Sequence, residues 1–226
     1  MKKLLVLGAG TGGSLVANIL SKKLPRKEWR ITVVDKAREH HYQPGYLFIP
    51  FRLYGYEGRD SVARHIRRPL GSAVEFVSAD VRLIDHAARK VETSAGRLDY
   101  DWLVLAMGCR MAPEETEGLG EALGKNAHTF YGLDEAVNFQ KPLENFREGK
   151  LVVNVADMPV KCPVAPIEFA FLADYFFRKK GIRERIRIEY ATPSRVPSRS
   201  RWQTAFLASL CGRGAYPSRR TSRFRR

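Results

Sequence analysis

Four glycines, one aspartate and one cysteine carry the chemistry this sequence offers. Gly8, Gly10 and Gly13 stand in GAGTGG with G-x-G-x-x-G spacing, and Gly12 adds a fourth. In that spacing the first glycine permits a tight turn, the second lets a pyrophosphate approach the backbone, and the third lets helix and strand pack closely. Asp35 follows 22 residues after Gly13, where a carboxylate can accept hydrogen bonds from an adenosine ribose. An acid there disfavours a 2′-phosphate, so FAD or NAD is preferred over NADP. Cys162 stands in KCPVAP, stiffened by Pro163 and Pro166. The neighbouring Lys161 favours its thiolate electrostatically.

The elements that must position these groups follow from apolar patterning. LLVL before the glycines predicts a short strand, and TGGSLVANIL an apolar-periodic helix whose N-terminus offers free N–H groups to phosphates. WRITVVD (29–35) is a second strand ending on the aspartate. VEFVSADVRLID (74–85) reads as one strand. RKVETSAGRLDYDWLVLAMG (89–108) alternates around Ser-Ala-Gly like a hairpin and returns to a buried strand, completing a β-meander crossover.

A fresh buried strand is expected in FREGKLVVNVAD (146–157), a helix in APIEFAFLADYFFRKKG (165–181) ending at Gly181 after a basic last turn, and a strand in 183–193. This is a βαβ unit of a second nucleotide-like domain. Its turn, ADMPVKCPVAP, holds no glycine, and its prolines with Val160 and Val164 crowd the place where a pyrophosphate must touch backbone. The expectation is an α/β chain: a Rossmann-like FAD-binding domain with a β-meander (1–110), a connecting segment (111–145), an incomplete second Rossmann-like domain (146–193) and a basic tail (194–226).

Composition bounds the rest. With 226 residues, 44% of them apolar, the chain can bury a core. Three cysteines are too few and too scattered for a disulfide framework, which points to a reducing compartment. LLVL is too short for a signal-peptide core, and no run approaches the ~20 apolar residues of a membrane span. The expectation is therefore a cytoplasmic protein, at most peripheral to the inner face of the cell membrane. His40 and His41 are adjacent in a strand-like segment and point to opposite faces, with no ligand-spaced partner, so no metal is expected. His65, His86 and His128 have no sequence partners and read as surface or structural.

GAGTGG, Asp35, HHYQPGYLFIPFRLYG (40–55), DYDWLVLAMG (99–108) and KCPVAPIEF (161–169) occur in the order found in sulfide:quinone oxidoreductases. Residues 1–193 resemble that family, within the two-dinucleotide-domain flavoproteins that include type II NADH dehydrogenases and flavocytochrome c sulfide dehydrogenases. The resemblance implies that Gly8, Gly10, Thr11, Gly12 and Gly13 cradle the FAD pyrophosphate, and that Asp35, flanked by Lys36, holds its ribose. It places the backbone around Ala79 and Val81 against the adenine, and Ala106, Met107 and Gly108 on the phosphate side. Met107 departs from the threonine usual there. Gln43, Pro44 and Gly45 are implied to lie along the flavin ring. Cys162 is implied to be the catalytic thiol, which receives sulfide as a persulfide or makes a charge-transfer or covalent contact with the flavin ring, with sulfide and quinone as substrates, peripheral membrane association in full-length relatives, and homo-oligomers as a further expectation. The family's partner cysteine falls beyond the matching region. Cys109 reads as structural.

Net charge is +15, and 194–226 alone holds nine arginines and no Lys, Asp or Glu. The remaining 193 residues carry 30 basic and 24 acidic side chains, so no nucleic acid is expected as partner of the globular part. The codons CTC CCG GGT GCC TTC spell Leu-Pro-Gly-Ala-Phe, a turn the family would ordinarily show next. Read one base later they give Ser-Arg-Val-Pro-Ser, as in 194–198. The tail, with Cys211, is accordingly expected to be out of frame. The rival expectation is a genuine basic tail for nucleic acid or anionic lipid.

Overall fold

The computed structural model describes residues 1–156 and 160–192. The expectations for the basic tail and Cys211, and for 157–159 of the cysteine turn, lie outside the described residues.

The apolar runs LLVL and ITVV form the two central strands of a parallel sheet, β1 (Lys2–Leu7) and β2 (Trp29–Asp35). Val6, Leu7, Val33 and Val34 are fully buried, as expected of strands covered on both faces. Helix α1 (Thr11–Lys23) crosses between them. A short antiparallel pair follows, β3 (Glu39–His41) with β4 (Ala63–His65). Between its strands run two 3-10 turns, Gln43–Leu47 and Ile49–Phe51, and the one-turn helix α2 (Arg59–Val62). Strand β5 (Glu75–Ser78) then pairs with β2.

The three-stranded meander is β6 (Val81–Asp85), β7 (Lys90–Thr93) and β8 (Gly96–Asp99). Strand β9 (Trp102–Leu105) returns to pair with β1, giving the order β5-β2-β1-β9. Because side chains alternate along a strand, Leu4 and Val6 pack with Ala17 of α1, whereas Leu5 and Leu7 pack with Val91 and Tyr100 on the meander side.

Two expectations need correction here. Residues 74–85 are two strands, not one: the chain leaves the parallel sheet at Ala79–Asp80, where the Ala79 N–H donates to the Asp35 carbonyl, and β6 starts the meander. The return strand is also not buried throughout, since Trp102 and Leu105 are 61% and 62% exposed at the sheet edge.

The chain continues through a one-turn helix α3 (Leu119–Ala122) into α4 (Leu133–Asn145), β10 (Gly149–Asn154), α5 (Ala165–Lys179) and β11 (Ile186–Ala191). Strands β10 and β11 pair in parallel through α5, the expected βαβ unit. Only Val153 of β10 is buried, so this strand too is more open than its apolar run suggests. The core under α5 joins Phe169, Phe177, Ile186 and Ile188 to Leu47 and Phe51 of the 3-10 segment and to Phe139 and Leu143 of α4. Helix α4 lies inside what the sequence offers only as a connector. Pro142 obscures it: a proline in the last turn removes one intrahelical hydrogen bond, yet the buried face of Leu133, Ala136, Phe139, Gln140 and Leu143 holds the helix in place.

Candidate functional site

The glycine turn lies at the carboxyl end of β1, between that strand and α1. Gly8 has φ +100°, and a β-carbon there would stand 2.3 Å from the Ala106 carbonyl oxygen. One on Gly13 would stand 1.8 Å from the Gly8 carbonyl oxygen. These two glycines let β1, β9 and α1 approach one another. Gly10 and Gly12 differ: a β-carbon on either meets nothing within 4 Å. Bare backbone therefore faces open space at the start of a 13-residue helix with no side-chain cap and no acid in its first turn. Ser14 is the first N–H of the helix to reach back, to the Gly10 carbonyl at 2.9 Å, which leaves the amides of Thr11, Gly12 and Gly13 for an anion.

Asp35 is drawn into this turn. Its carboxylate accepts from the Ala9 N–H and the Ala37 N–H, both at 2.7 Å. Two N–H bonds leave lone pairs on a carboxylate, so it can still accept from a hydroxyl. The Ala9 carbonyl is held as well, by the Ser14 hydroxyl at 2.7 Å and by His40 Nδ1 at 3.0 Å. A carbonyl can only accept, so His40 carries its proton on Nδ1. The glycine motif gave no sign of either clamp, since the donors lie 5 and 31 residues away.

The other expected positions gather at the same end of the sheet. Ala79 is buried beside Asp35, and Val81 is half-buried on β6. Lys36 forms a 3.3 Å ion pair with Asp80. The Ala106 N–H donates to the Leu7 carbonyl, while Met107 is 57% exposed and Gly108 has φ +74°. Gathering at the carboxyl ends of parallel strands is where open α/β sheets bind ligands.

Gln43 and Pro44 are exposed at the start of the 3-10 segment, whereas Gly45 is wedged in: a β-carbon there would stand 2.6 Å from Val62 Cγ1 and 2.8 Å from the Tyr56 ring. A polar chain fixes this segment from below. The Tyr46 hydroxyl meets His41 Nδ1 at 2.6 Å, and His41 Nε2 meets Glu39 at 3.1 Å. Glu39 pairs with Arg59, which also reaches Asp134 on α4. Burial pushes the Tyr46 pKa up to about 12, so the phenol stays protonated.

Cys162 is exposed at the turn between β10 and α5. Its carbonyl accepts from the Tyr131 hydroxyl at 2.9 Å and from the Ala165 N–H at 3.3 Å. Burial, then the neighbouring Cys162, raises the Tyr131 pKa well above that of a free phenol, which keeps the hydroxyl a donor. Tyr131 stacks on Phe130 and Phe130 on Phe169, with centroids 4.9 and 5.0 Å apart, and Phe169 meets Phe51 at 4.9 Å. The cysteine turn is thus tied to the end of the segment that begins at Gln43. Among the described residues no hydrogen bond, ion pair or ring contact joins Cys162 to the glycine turn. Cys109 is exposed beyond the Met107–Gly108 turn.

Comparison with known proteins agrees with this geometry. The chain is 27% identical over 191 residues to the mitochondrial sulfide:quinone oxidoreductase of Dictyostelium discoideum, covering 83% of this chain and 41% of the relative. It is 38% identical over 108 residues to the type II NADH:quinone oxidoreductase of Staphylococcus aureus, covering 47% of this chain and 26% of that one. The fold superposes on the sulfide:quinone oxidoreductase of Aquifex aeolicus with a TM-score of 0.67 at 23% identity, covering 84% of this chain and 43% of the other. The chain spans about two fifths of the length of the mitochondrial relative. Its bare amides at Gly10 and Gly12, with Asp35 beside them, fit the dinucleotide cofactor, FAD, that such flavoproteins bind. Residues 2–153 match throughout, and the chain belongs to the pyridine nucleotide-disulphide oxidoreductase family.

Proposed function

We propose that the chain is the flavin-holding, thiol-bearing part of an oxidoreductase that oxidises sulfide and passes the electrons to quinone. One observation carries this reading. Where a second dinucleotide site would need glycines, the β10–α5 turn holds an exposed thiol whose own carbonyl is pinned by Tyr131 and Ala165.

In this reading residues 1–110 form the cofactor domain, 111–145 connect it, and 146–193 begin the second domain. Thr11, Gly12 and Gly13 give backbone N–H groups to the pyrophosphate, Gly10 leaves it room to approach, and Gly8 and Gly13 keep the turn tight enough to present them. Asp35 accepts from the ribose with its remaining lone pairs, and Lys36 flanks it. Ala79 and Val81 border the adenine. Ala106, Met107 and Gly108 close the phosphate side. Gln43, Pro44 and Gly45 lie along the flavin ring, over the Tyr46–His41–Glu39 chain that keeps them in place. FAD, when bound, supplies a two-electron acceptor. Cys162, two residues before the N-cap of the 15-residue α5, is the nucleophile, which reacts as cysteines do in the thiolate form and joins sulfide as a persulfide. That bond releases two electrons and one proton from the thiolate and HS⁻, and quinone is the final acceptor. Quinone as substrate implies work at a membrane surface. Among the described residues, no helix is long and apolar enough to cross one.

A second reading, NADH as electron donor, is favoured by the 38% identity to a type II NADH:quinone oxidoreductase. The glycine-free turn at 156–164 weighs against it.

The test is an anaerobic titration of the purified chain in its flavin-bound form. Sulfide is expected to bleach the flavin absorbance of the wild type and not of Cys162→Ser. Equal bleaching in both overturns the role given to Cys162. Bleaching by NADH in place of sulfide establishes the second reading, and a chain that retains no flavin overturns the claim that this part holds it.

A further inference from the structure

At the far end of α5 from Cys162 the chain builds a second recess, independent of the thiol. A cleft of about 330 Å³ opens between the turn after the second 3-10 helix and the last turn of α5. Its floor is apolar: Phe51 and Phe176 meet edge to face at 5.6 Å, and Leu53 lies beside them. Its rim is cationic, with Arg52, Lys179 and Lys180. Among the described residues no carboxylate lines it. The nearest in sequence on α5, Asp174, is already engaged by Arg178 and Arg183.

Two features set this rim apart from ordinary surface lysines. Arg52 adopts a left-handed backbone, φ +51° and ψ 44°, and Tyr54 two residues on also has positive φ, at 56°. Side chains other than glycine, asparagine or aspartate seldom hold such a conformation, and they do so where the fold has a use for it. Lys180 is the second feature. Its ammonium donates to the Glu144 carbonyl at 2.7 Å and lies 4.7 Å over the Phe176 ring, so it is fixed rather than free to swing away. Burial, then the charge of Arg147, lowers its pKa, and the Glu144 carboxylate offsets them only in part. Arg52 and Lys179 have no ion-pair partner among the described residues.

We propose that this cleft binds the phosphate headgroup of an anionic amphiphile, with Arg52, Lys179 and Lys180 around the phosphate and the first carbons of its chain on Phe51, Leu53 and Phe176. The volume suits a headgroup and a few methylenes, being at the small end of ligand pockets. Tyr175 lines the cleft and Tyr54 follows Leu53 in the chain, and the two are 53% and 77% exposed. They suit a source in a bilayer, where amphipathic rings sit at headgroup level. The same chemistry also fits a free amphiphile.

The test is calorimetry of the full chain with dodecyl phosphate below its micellar concentration, with inorganic phosphate, and flotation with phosphatidylglycerol or phosphatidylcholine vesicles. Dodecyl phosphate is expected to bind more tightly than inorganic phosphate. The double variant Arg52→Gln, Lys179→Gln is expected to weaken it about 25-fold, roughly fivefold for each charge removed at such a surface. Lys23→Gln, on α1, serves as control and should leave binding unchanged. Arg52→Gly also tests the point without risk to folding, because glycine relieves the left-handed backbone while deleting the cation. It should lose about fivefold in affinity at no cost in melting temperature. Flotation with phosphatidylglycerol and not phosphatidylcholine assigns a lipid source; monomer binding without flotation assigns a free amphiphile. Absence of dodecyl phosphate binding, equal affinity for inorganic phosphate, or equal loss in the Lys23→Gln control overturns the proposal.

Discussion

The Tyr131 hydroxyl donates a 2.9 Å hydrogen bond to the carbonyl of Cys162, 31 residues away, and so holds the backbone of the turn that presents the thiol. The ring behind that hydroxyl is locked by its stack on Phe130, which in turn stacks on Phe169 of α5. The phenol therefore acts as a strut between the residues just before α4 and the turn. Tyr131→Phe keeps the stack and deletes only the strut. It is expected to cost about 1 kcal/mol in stability, the net worth of one hydrogen bond. If Cys162 handles sulfur, persulfide yield on it after sulfide is added to the flavin-bound chain, with the oxidised flavin taking the two electrons, should fall severalfold, while alkylation of the exposed Cys109 stays as in the wild type. Peptide mass spectrometry reads both sites in one digest. An unchanged persulfide yield on Cys162 would show that its turn needs no strut.

The glycines of the first turn divide into two kinds, and substitution should separate them. A β-carbon on Gly13 collides with the Gly8 carbonyl at 1.8 Å, which is backbone and cannot swing aside. Gly13→Ala is expected to lose about 3 kcal/mol, the upper range of overpacking costs, and its flavin with it. Gly12→Ala places its methyl in open space on a helix, and should leave stability within about 0.5 kcal/mol of wild type. Its flavin should nonetheless dissociate more readily, because the methyl stands where a phosphate is proposed to lie. Thermal unfolding with and without added FAD distinguishes the two. A stable Gly13→Ala chain would contradict the packing described.

Much of this architecture is legible in the chain because the relevant signals are local. GAGTGG between LLVL and an apolar-periodic helix, and an aspartate closing WRITVVD, require only neighbouring residues to be read. The hairpin around Ser94-Ala95-Gly96 is equally local. What stayed hidden depends on contacts across long stretches of chain. His40 on the Ala9 carbonyl, and Gln140 on the Ile49 and Glu57 carbonyls, follow no spacing rule. Helix α4 was masked by Pro142, and the break at Ala79–Asp80 by apolar alternation that runs on through it. Exposure of Trp102, Leu105 and Val152 was hidden too, because an apolar run reports the side chains and not what covers them.

Asp174 should govern stability at acid pH. It is only 8% exposed and accepts from Arg178 at 2.7 Å and Arg183 at 2.5 Å. Burial alone would raise its pKa, but the hydrogen bonds and charges of the two guanidinium groups outweigh burial and hold it below its ordinary value. A folded pKa below the unfolded one gives stability that is present at neutral pH. It is lost as pH falls below about 4 and through the folded value. Asp174→Asn is expected to lower stability at pH 7 by about 3 kcal/mol, as when one member of a buried pair is removed. The gap between variant and wild type should close as acid protonates the aspartate. Urea unfolding across pH checks this, and a gap that stays constant down to pH 3 would contradict it.

Gln140 ties α4 to the segment proposed to border the flavin. Its side chain is 9% exposed, and its amide nitrogen donates both protons, to the Ile49 carbonyl at 2.9 Å and the Glu57 carbonyl at 2.7 Å. The Ile49 carbonyl also accepts from Arg52 N–H, so it keeps a partner without the glutamine; for the Glu57 carbonyl the amide is the partner described. Gln140→Leu preserves volume and removes both bonds, at an expected cost of about 2 kcal/mol. The loss should be local before it is global. Residues 49–57 carry two left-handed non-glycine residues, Arg52 and Tyr54, whose backbone persists only while its surroundings hold it. Hydrogen exchange should therefore quicken in this stretch well before it does in β1 or β2. The same variant should weaken dodecyl phosphate binding, since Arg52 and Leu53 would no longer be held on the cleft. Faster exchange spread evenly over the molecule would mean that Gln140 contributes only general stability.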